Sequence, residues 1–490
     1  MKRTCILNHW TMLFLGFICT LLSGCSSSED DPQPEPKPQL KYQILQNGDE
    51  ISSIDLNEDT HNLSIQILSN TDWTLSKDVD WITLNATSGK ASEMATAVTI
   101  TVTANETENV REAIVTLKPV SSEQGKTLTI KQKAGKIEKP DDSGWEKASQ
   151  AVVNMKTGWN LGNTLDSNGQ WIADYTAGTP SDYETAWGQP VTRPELMTMF
   201  ADAGFGAIRV PVTWYQHMDP NTYKVDEAWM NRVEEVVNYV LDAGMYCILN
   251  VHHDTGTEGW LIADQDVYGK VNEKFKTLWK QIAERFNKYD HHLLFEGYNE
   301  ILDINDTWNS PSVSGAYDAA NAYNQDFVDV VRASGGNNQT RNLIVNTYAA
   351  SLDNLESFRL PTDLTTEHLI VQVHSYAPYP FAFDVSEDAY WSKYDKSIFD
   401  SDCEKEVRTA IQKLNTTFVS EGIPCIIGEY GSFDKNNVAE RAKQAACYVS
   451  EAKKYNICCF RWMGLSDGND RTDLIWTEPE IRDAILNAIK

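Results

Sequence analysis

Two rhythms of apolar and polar positions divide this chain. Between about residues 41 and 135, apolar residues tend to alternate with polar ones, as in Leu63-Ser64-Ile65-Gln66-Ile67 and Val98-Thr99-Ile100-Thr101-Val102. Ala113–Leu117 and Leu128-Thr129-Ile130 continue the series, with turn signals such as Ser69-Asn70 and Ser88-Gly89 between the runs. A period of two puts apolar side chains on one face of a strand. Short strands at this spacing, without helical periodicity, predict a small all-β, immunoglobulin-like sandwich over 41–135.

After residue 144 the rhythm changes. Apolar, β-branched runs with polar or aromatic tips alternate with stretches whose apolar residues recur every three or four positions. The runs are Gly158–Asn163, Ala207–Val212, Tyr246–His252, Leu293–Asn299, Leu343–Thr347, Leu369–His374, Cys425–Glu429 and Cys458–Trp462. The helical stretches are Arg193–Ala203, Ala228–Leu241, Asn272–Phe286, Ala316–Ala333, Cys403–Val419, Val438–Lys454 and Pro479–Ile489. Buried strands alternating with helices predict a parallel sheet covered by helices. Eight such units in 145–490 predict an α/β domain, a (β/α)8 TIM barrel with enlarged loops. A doubly wound open sheet is the alternative. It is weakened because Gly158 and Gly162 do not form the glycine-rich phosphate turn such a sheet uses.

The ends of the chain add location. Lys2 and Arg3 precede a short apolar run, Met12–Leu22, that reads as a signal peptide over 1–24. Leu22-Ser23-Gly24-Cys25 resembles the lipobox of bacterial lipoproteins, which implies lipidation at Cys25. The acidic Ser26–Asp31 is similar to the surface-export signal of Bacteroides-type lipoproteins, and a merely solvated tether is the other reading. Pro32, Pro34, Pro36 and Pro38 make 25–40 a semi-rigid spacer, and 136–144 is a second polar linker. The expected location is the cell-surface face of the outer membrane. Net charge is −28, which excludes nucleic acid and suits a neutral partner. The six cysteines beyond Cys25 show no metal-binding spacing and read as small buried hydrophobes, with a Cys403–Cys447 disulfide left open.

In such a barrel, the residues at strand C-terminal ends converge on one mouth. Those ends carry Arg209, His252, His253, Asn299, Glu300, His374, Tyr376, Glu429 and Trp462. One charged group in an apolar strand reads as a structural ion pair; this many polar and aromatic tips do not. Glu300 on strand 4 and Glu429 on strand 7 would face each other across the axis. Glycoside hydrolysis needs such a pair, one carboxyl protonated and one ionised. Arg209 and the Tyr376 hydroxyl would keep Glu429 ionised, leaving Glu300 as the acid. Asn299 is placed for a sugar 2-hydroxyl, and Trp462 for a stacking floor. For each of Trp171, Trp187, Trp214, Trp260 and Trp391, packing and sugar contact are equally open readings. A His252-His253-Asp254 metal site is disfavoured, since adjacent strand residues point to opposite faces and a third ligand is lacking. His291-His292 belongs to the opposite end of the barrel.

Taken in order, "GWNLGNTLD" (158–166), "ETAWGQP" (184–190), "IRVPVTW" (208–214), "VHHD" (251–254), "YNE" (298–300), "VHSYAP" (373–378) and "IGEYG" (427–431) resemble glycoside hydrolase family 5, subfamily 4. The resemblance implies a retaining endo-glucanase with Glu300 as acid/base and Glu429 as nucleophile. It also implies supporting roles for Arg209, His252, His253, Asn299, His374, Tyr376 and Trp462, with no metal and no cofactor. Trp73, Trp81 and "DWITLNATSGKAS" resemble the BACON domain found beside bacterial carbohydrate-active enzymes, here read as a spacer rather than a glycan binder. The combination is similar to the xyloglucanases of gut Bacteroides. The expected partner is therefore a β-glucan, xyloglucan ahead of mixed-linkage glucan or cellulose, and the chain is expected to be a monomer. A non-catalytic surface glycan-binding protein is the competing class, disfavoured because binding alone needs no acid/base pair.

Overall fold

The computed structural model describes residues 39–105, 107, 109–135, 144–256, 259–365, 367–384, 397–462 and 468–490. The expectations for the signal peptide, Cys25, most of both linkers and Trp391 lie outside the described residues. The chain divides into two compact units, 1–137 and 138–490.

In the first unit, two five-stranded sheets bury one core. One sheet is centred on His61–Ser69 and Ser92–Val102, the other on Arg111–Pro119 and Lys126–Gln132. The alternating residues do what their period dictates. Ile65, Ile67, Val98 and Ile100 from one sheet meet Val115, Leu117, Leu128 and Ile130 from the other. Trp73 lies in this core against Gly89, where an added Cβ would stand 2.2 Å from the indole. Each strand runs longer than its apolar run, since its polar ends still pair across the sheet.

The second unit is a closed barrel of eight parallel strands in sequence order, the eighth paired to the first. Alternation sorts each strand's residues between two layers. Ile248, Leu294, Ile344, Ile370, Ile426 and Phe460 fill the barrel floor, which the helix Ala148–Asn154 plugs with Ala148, Ala151 and Val152. Their neighbours Leu249, Phe295, Leu343, Val371 and Ile427 pack against the helices outside. The helices match their periodic stretches closely, with one correction: Gln265–Arg285 begins well before Asn272. Its first turns are too polar to show an apolar face, and the Asp264 carboxylate starts it by accepting from the amides of Asp266 and Val267.

Five of the eight strands stop short of their predicted tips, at Asn160, Val210, Asn250, Glu296 and Arg461. Beyond those points, backbone groups bond across the mouth instead. Val212 N donates to the Asn250 side chain at 3.1 Å, and Asn299 N donates to Val251 O at 2.9 Å. The six cysteines of the described residues are free thiols, Cys403 and Cys447 included, which answers the disulfide question left open above. No helix among the described residues is long and apolar enough to cross a membrane.

Candidate active site

The mouth is organised around Arg209, which is fully buried at the end of strand 2. Nε and Nη2 donate to the two oxygens of Glu296 at 2.6 and 2.7 Å. Nη2 also donates to Asn299 Oδ1 at 2.7 Å, and Nη1 to Asn160 Oδ1 at 2.9 Å and Glu429 Oε1 at 2.8 Å. All five guanidinium donors are thus engaged, and a planar fork allows little movement of its partners.

Glu429 receives a second hydrogen bond on its other oxygen, from the Tyr376 hydroxyl at 2.8 Å. His374 Nδ1 lies 2.5 Å from Glu300 Oε1 and 3.5 Å from Glu429 Oε2, between the two carboxyls. One oxygen of each glutamate falls within 4.8 Å of the other. Their environments pull them apart. Burial raises the Glu300 carboxyl above its usual range, and the Glu429 charge adds to this against the pull of His374. Burial would raise Glu429 as well, but the charges on His374 and Arg209, with hydrogen bonds from Tyr376 and Arg209, hold it below its usual range. One carboxyl therefore favours its acid form and its neighbour the carboxylate.

His252, His253, Asn299, Glu300, His374, Tyr376, Glu429 and Trp462 line one cavity of about 650 Å³. Arg209 lies beneath it. The two histidines correct the sequence reading. They do not point to opposite faces, because the strand has ended at Asn250; their ring centroids are 4.5 Å apart. His252 stacks parallel to Trp462, with 5.5 Å between ring centroids, and Trp187 tilts against His253. Gly162 lies under Trp462, where an added Cβ would stand 2.7 Å from the indole. Burial lowers both imidazoles, His253 to about 4, so they meet a ligand uncharged near neutral pH. Asn250 accepts from Val212 N and donates to Glu296, which orients its amide to donate to His252 Nδ1 at 3.0 Å. That leaves the His252 Nε2 proton as a donor.

A third metal-ligating group, missing from the sequence reading, does exist: Asp166 comes within 4.8 Å of both histidines. Its oxygens already accept the amides of Asn163 and Thr164 at 3.0 and 2.7 Å. Those of Glu429 are committed to Arg209 and Tyr376 in the same way.

Sequence reasoning missed Asn160, Asn250 and Glu296, which position the rest, and the wall residues Trp308, Asn309, Tyr379 and Phe383. Glu296 had a signal, a carboxylate inside an apolar strand. Trp214 proves to be packing, fully buried with its indole N–H donating to Asn250 O at 3.0 Å. Trp260 donates to Asp254 Oδ1 at 2.8 Å. His291 and His292 lie away from this cavity, beside Trp145 and Tyr246.

A family model described as cellulase (glycosyl hydrolase family 5) matches residues 165–467. The chain belongs to glycoside hydrolase family 5. A second model, the BACON putative binding domain, matches 71–133 within the sandwich. Among family 5 relatives, the chain is 41% identical over 355 residues to the cellulase/esterase CelE of Acetivibrio thermocellus, covering 69% of this chain but only 40% of that enzyme. It is 30% identical over 436 residues to the xyloglucan-specific endo-β-1,4-glucanase BoGH5A of Bacteroides ovatus, covering 86% of this chain and 82% of that one. A mutant of the family 5 enzyme PbGH5A from Prevotella bryantii, solved with a xyloglucan tetradecasaccharide, superposes with a TM-score of 0.65. It is 46% identical, and the match covers 71% of this chain and 99% of that structure.

Proposed function

We propose that this protein is a retaining endo-β-1,4-glucanase whose preferred polymer is xyloglucan. The observation that carries the reading is the closely spaced Glu300–Glu429 pair, in which burial and the Glu429 charge raise Glu300 while His374, Arg209 and Tyr376 hold Glu429 ionised. Retaining enzymes keep their carboxyls about 5–5.5 Å apart, whereas inverting ones leave about 6.5–9.5 Å for a water. Oxygens within 4.8 Å support the first arrangement.

In the proposed reaction, a Glu429 oxygen attacks the anomeric carbon of the sugar lying on Trp462. The bond to the leaving oxygen breaks, and that oxygen takes the Glu300 proton. Glu300, now a carboxylate, takes a proton from water. The water oxygen displaces Glu429, and the configuration is restored. Asn299 accepts from Arg209 through Oδ1, so its amide N–H groups are directed to a sugar hydroxyl.

Xyloglucan is favoured by the relative BoGH5A, whose alignment extends over 86% of this chain, and by the PbGH5A complex. A broader endo-glucanase acting on mixed-linkage glucan or cellulose is the second reading, favoured by the likeness to CelE. Initial rates of reducing-end release from xyloglucan, mixed-linkage β-glucan and carboxymethylcellulose separate them, with Glu300→Gln and Glu429→Gln as controls. Binding without release from any polymer would sink the hydrolase reading.

We also propose that the protein works as a monomer at the cell surface, tethered to the outer membrane through Cys25. The support is the lipobox-like Leu22–Cys25 and the acidic run behind it. Loss of fatty-acid labelling and of surface display in Cys25→Ala is the expected result.

A further inference from the structure

The loop after strand 4 is fastened by a group that the proposed reaction does not use. Asp303 is fully buried three residues beyond Glu300. Its Oδ1 accepts the amides of Asn305 and Thr307 at 3.1 and 3.0 Å. Its Oδ2 accepts both the amide and the hydroxyl of Ser312, at 2.5 and 2.8 Å. The buried ring of Tyr348, from strand 5, closes the knot. Its hydroxyl accepts from Asp303 N at 3.0 Å and donates to Thr307 O at 2.6 Å.

A buried carboxylate is costly unless its lone pairs are filled, and here four donors fill them. The hydrogen bonds from Thr307 and Ser312 hold it well below the usual carboxylate range, against the effect of burial. What this knot presents is not a core residue. It is Trp308, 52% exposed, standing with Asn309 on the wall of the cavity that holds the carboxylate pair. The same cavity is lined by the exposed ring of Tyr379, stacked on Phe383 with centroids 5.6 Å apart.

We infer that Asp303 is a positioning residue: through residues 303–312 it holds Trp308 as a stacking platform for the sugar on the leaving-group side of the scissile bond. The inference rests on the proposed reaction, which also sets the side. The reacting ring lies on Trp462, beside Gly162 and His252. Glu300 protonates the oxygen leaving that ring, so the departing chain runs past Glu300 towards the loops after strands 4, 5 and 6. Trp308 stands in the first of these.

The test compares two substrates on the full chain. A polymer places a sugar on the leaving side; 2-chloro-4-nitrophenyl β-cellobioside places only an aryl group there. Trp308→Ala and Asp303→Ala are each expected to lower kcat/KM on xyloglucan roughly tenfold and to cost the aryl cellobioside clearly less, since its aglycone is a single ring with no chain behind it. Asp303→Asn keeps an acceptor for Asn305 and Thr307 but opposes the Ser312 amide, so it should fall between alanine and wild type. The double variant should be no worse than Trp308→Ala alone, because the carboxylate acts through the indole. Trp308 is exposed, so its variant keeps the test open if Asp303→Ala fails to fold. Equal losses on both substrates, or an unchanged polymer rate, would overturn the platform. A loss in Trp308→Ala without one in Asp303→Ala would overturn the positioning role. Wild type inactive on both substrates would overturn the proposed reaction itself.

Discussion

The sandwich and the barrel each press a glycine against a tryptophan, and each surrounds an arginine with acceptors. The outcomes differ. Gly89 lets Trp73 lie flat inside a closed core, while Gly162 lets Trp462 lie at the rim of an open cavity. Arg111 of the sandwich spends its donors on neutral groups, the Gln132 side chain and the carbonyls of Thr103 and Ala104, and covers Trp81. Arg209 spends all five of its own on the carboxylates of Glu296 and Glu429 and the amides of Asn160 and Asn299, and of these Glu429 and Asn299 line the cavity. One unit uses these residue types to complete a fold. The other uses them to hold charge where a fold alone would not want it. The three aromatic residues of the sandwich, Tyr42, Trp73 and Trp81, are all packed against its core, whereas the barrel leaves Trp308 and Tyr379 exposed at its mouth.

The contrast can be attacked at decreasing scale. The largest expected effect is on the carboxylate pair: Glu300→Gln should lower kcat on polymer by about 10²–10⁴-fold, and Glu429→Gln at least as far. Neither should shift the unfolding of the sandwich. Next come the arginines. Arg209→Met strands two buried carboxylates and should cost about 3–5 kcal/mol, read as a lower barrel Tm together with lost activity. Arg111→Met removes hydrogen bonds to neutral groups and should cost nearer 1 kcal/mol, with turnover unchanged. An equal cost for both would erase the distinction.

The glycines give a smaller, crossed pair. Gly162→Ala should displace Trp462 and lower kcat/KM by about tenfold to a hundredfold. Gly89→Ala should overpack the sandwich by about 1–3 kcal/mol and leave kcat/KM alone. Activity lost in Gly89→Ala would mean that the sandwich takes part in turnover.

The mildest test is pH. Glu429 is depressed, so its ionised form, and the stability it contributes, are present above the unfolded carboxylate value and lost as pH falls through the folded one. Glu300 is raised, so the acid needed for turnover is lost as pH rises through its folded value. A bell-shaped rate profile is expected on polymer. On an activated aryl substrate, Glu300→Gln should keep the acid limb and lose the alkaline one.

Much of this contrast was legible in the residues. Periods of two and of three to four separate the units, because burial on one face imposes them directly. The strand tips named most of the mouth, since a charged group at the end of an apolar run needs a partner. Three things did not show. The orientation of His252 and His253 depended on where strand 3 stops, which is decided by the Asn250 side chain taking a backbone amide. The approach of Asp166 to those histidines joins a loop after strand 1 to the segment after strand 3. The knot around Asp303 lies in an aperiodic loop, where hydrogen bonds rather than apolar spacing set the conformation.

Closure of the barrel also sets an order of events during synthesis. Thr157 bonds to Cys459 across 302 residues, whereas the sandwich ties Glu50 to Lys126 across 76. The sandwich has all its strands once residue 132 has emerged, but the first barrel strand waits for its eighth neighbour until residue 461 has followed. Contacts so distant in sequence make for slow assembly and leave strand edges open meanwhile. A nascent chain therefore carries one finished domain ahead of a sheet that cannot yet close. Glu429 lies on the seventh strand, so a chain cut short before it has no carboxylate pair at all.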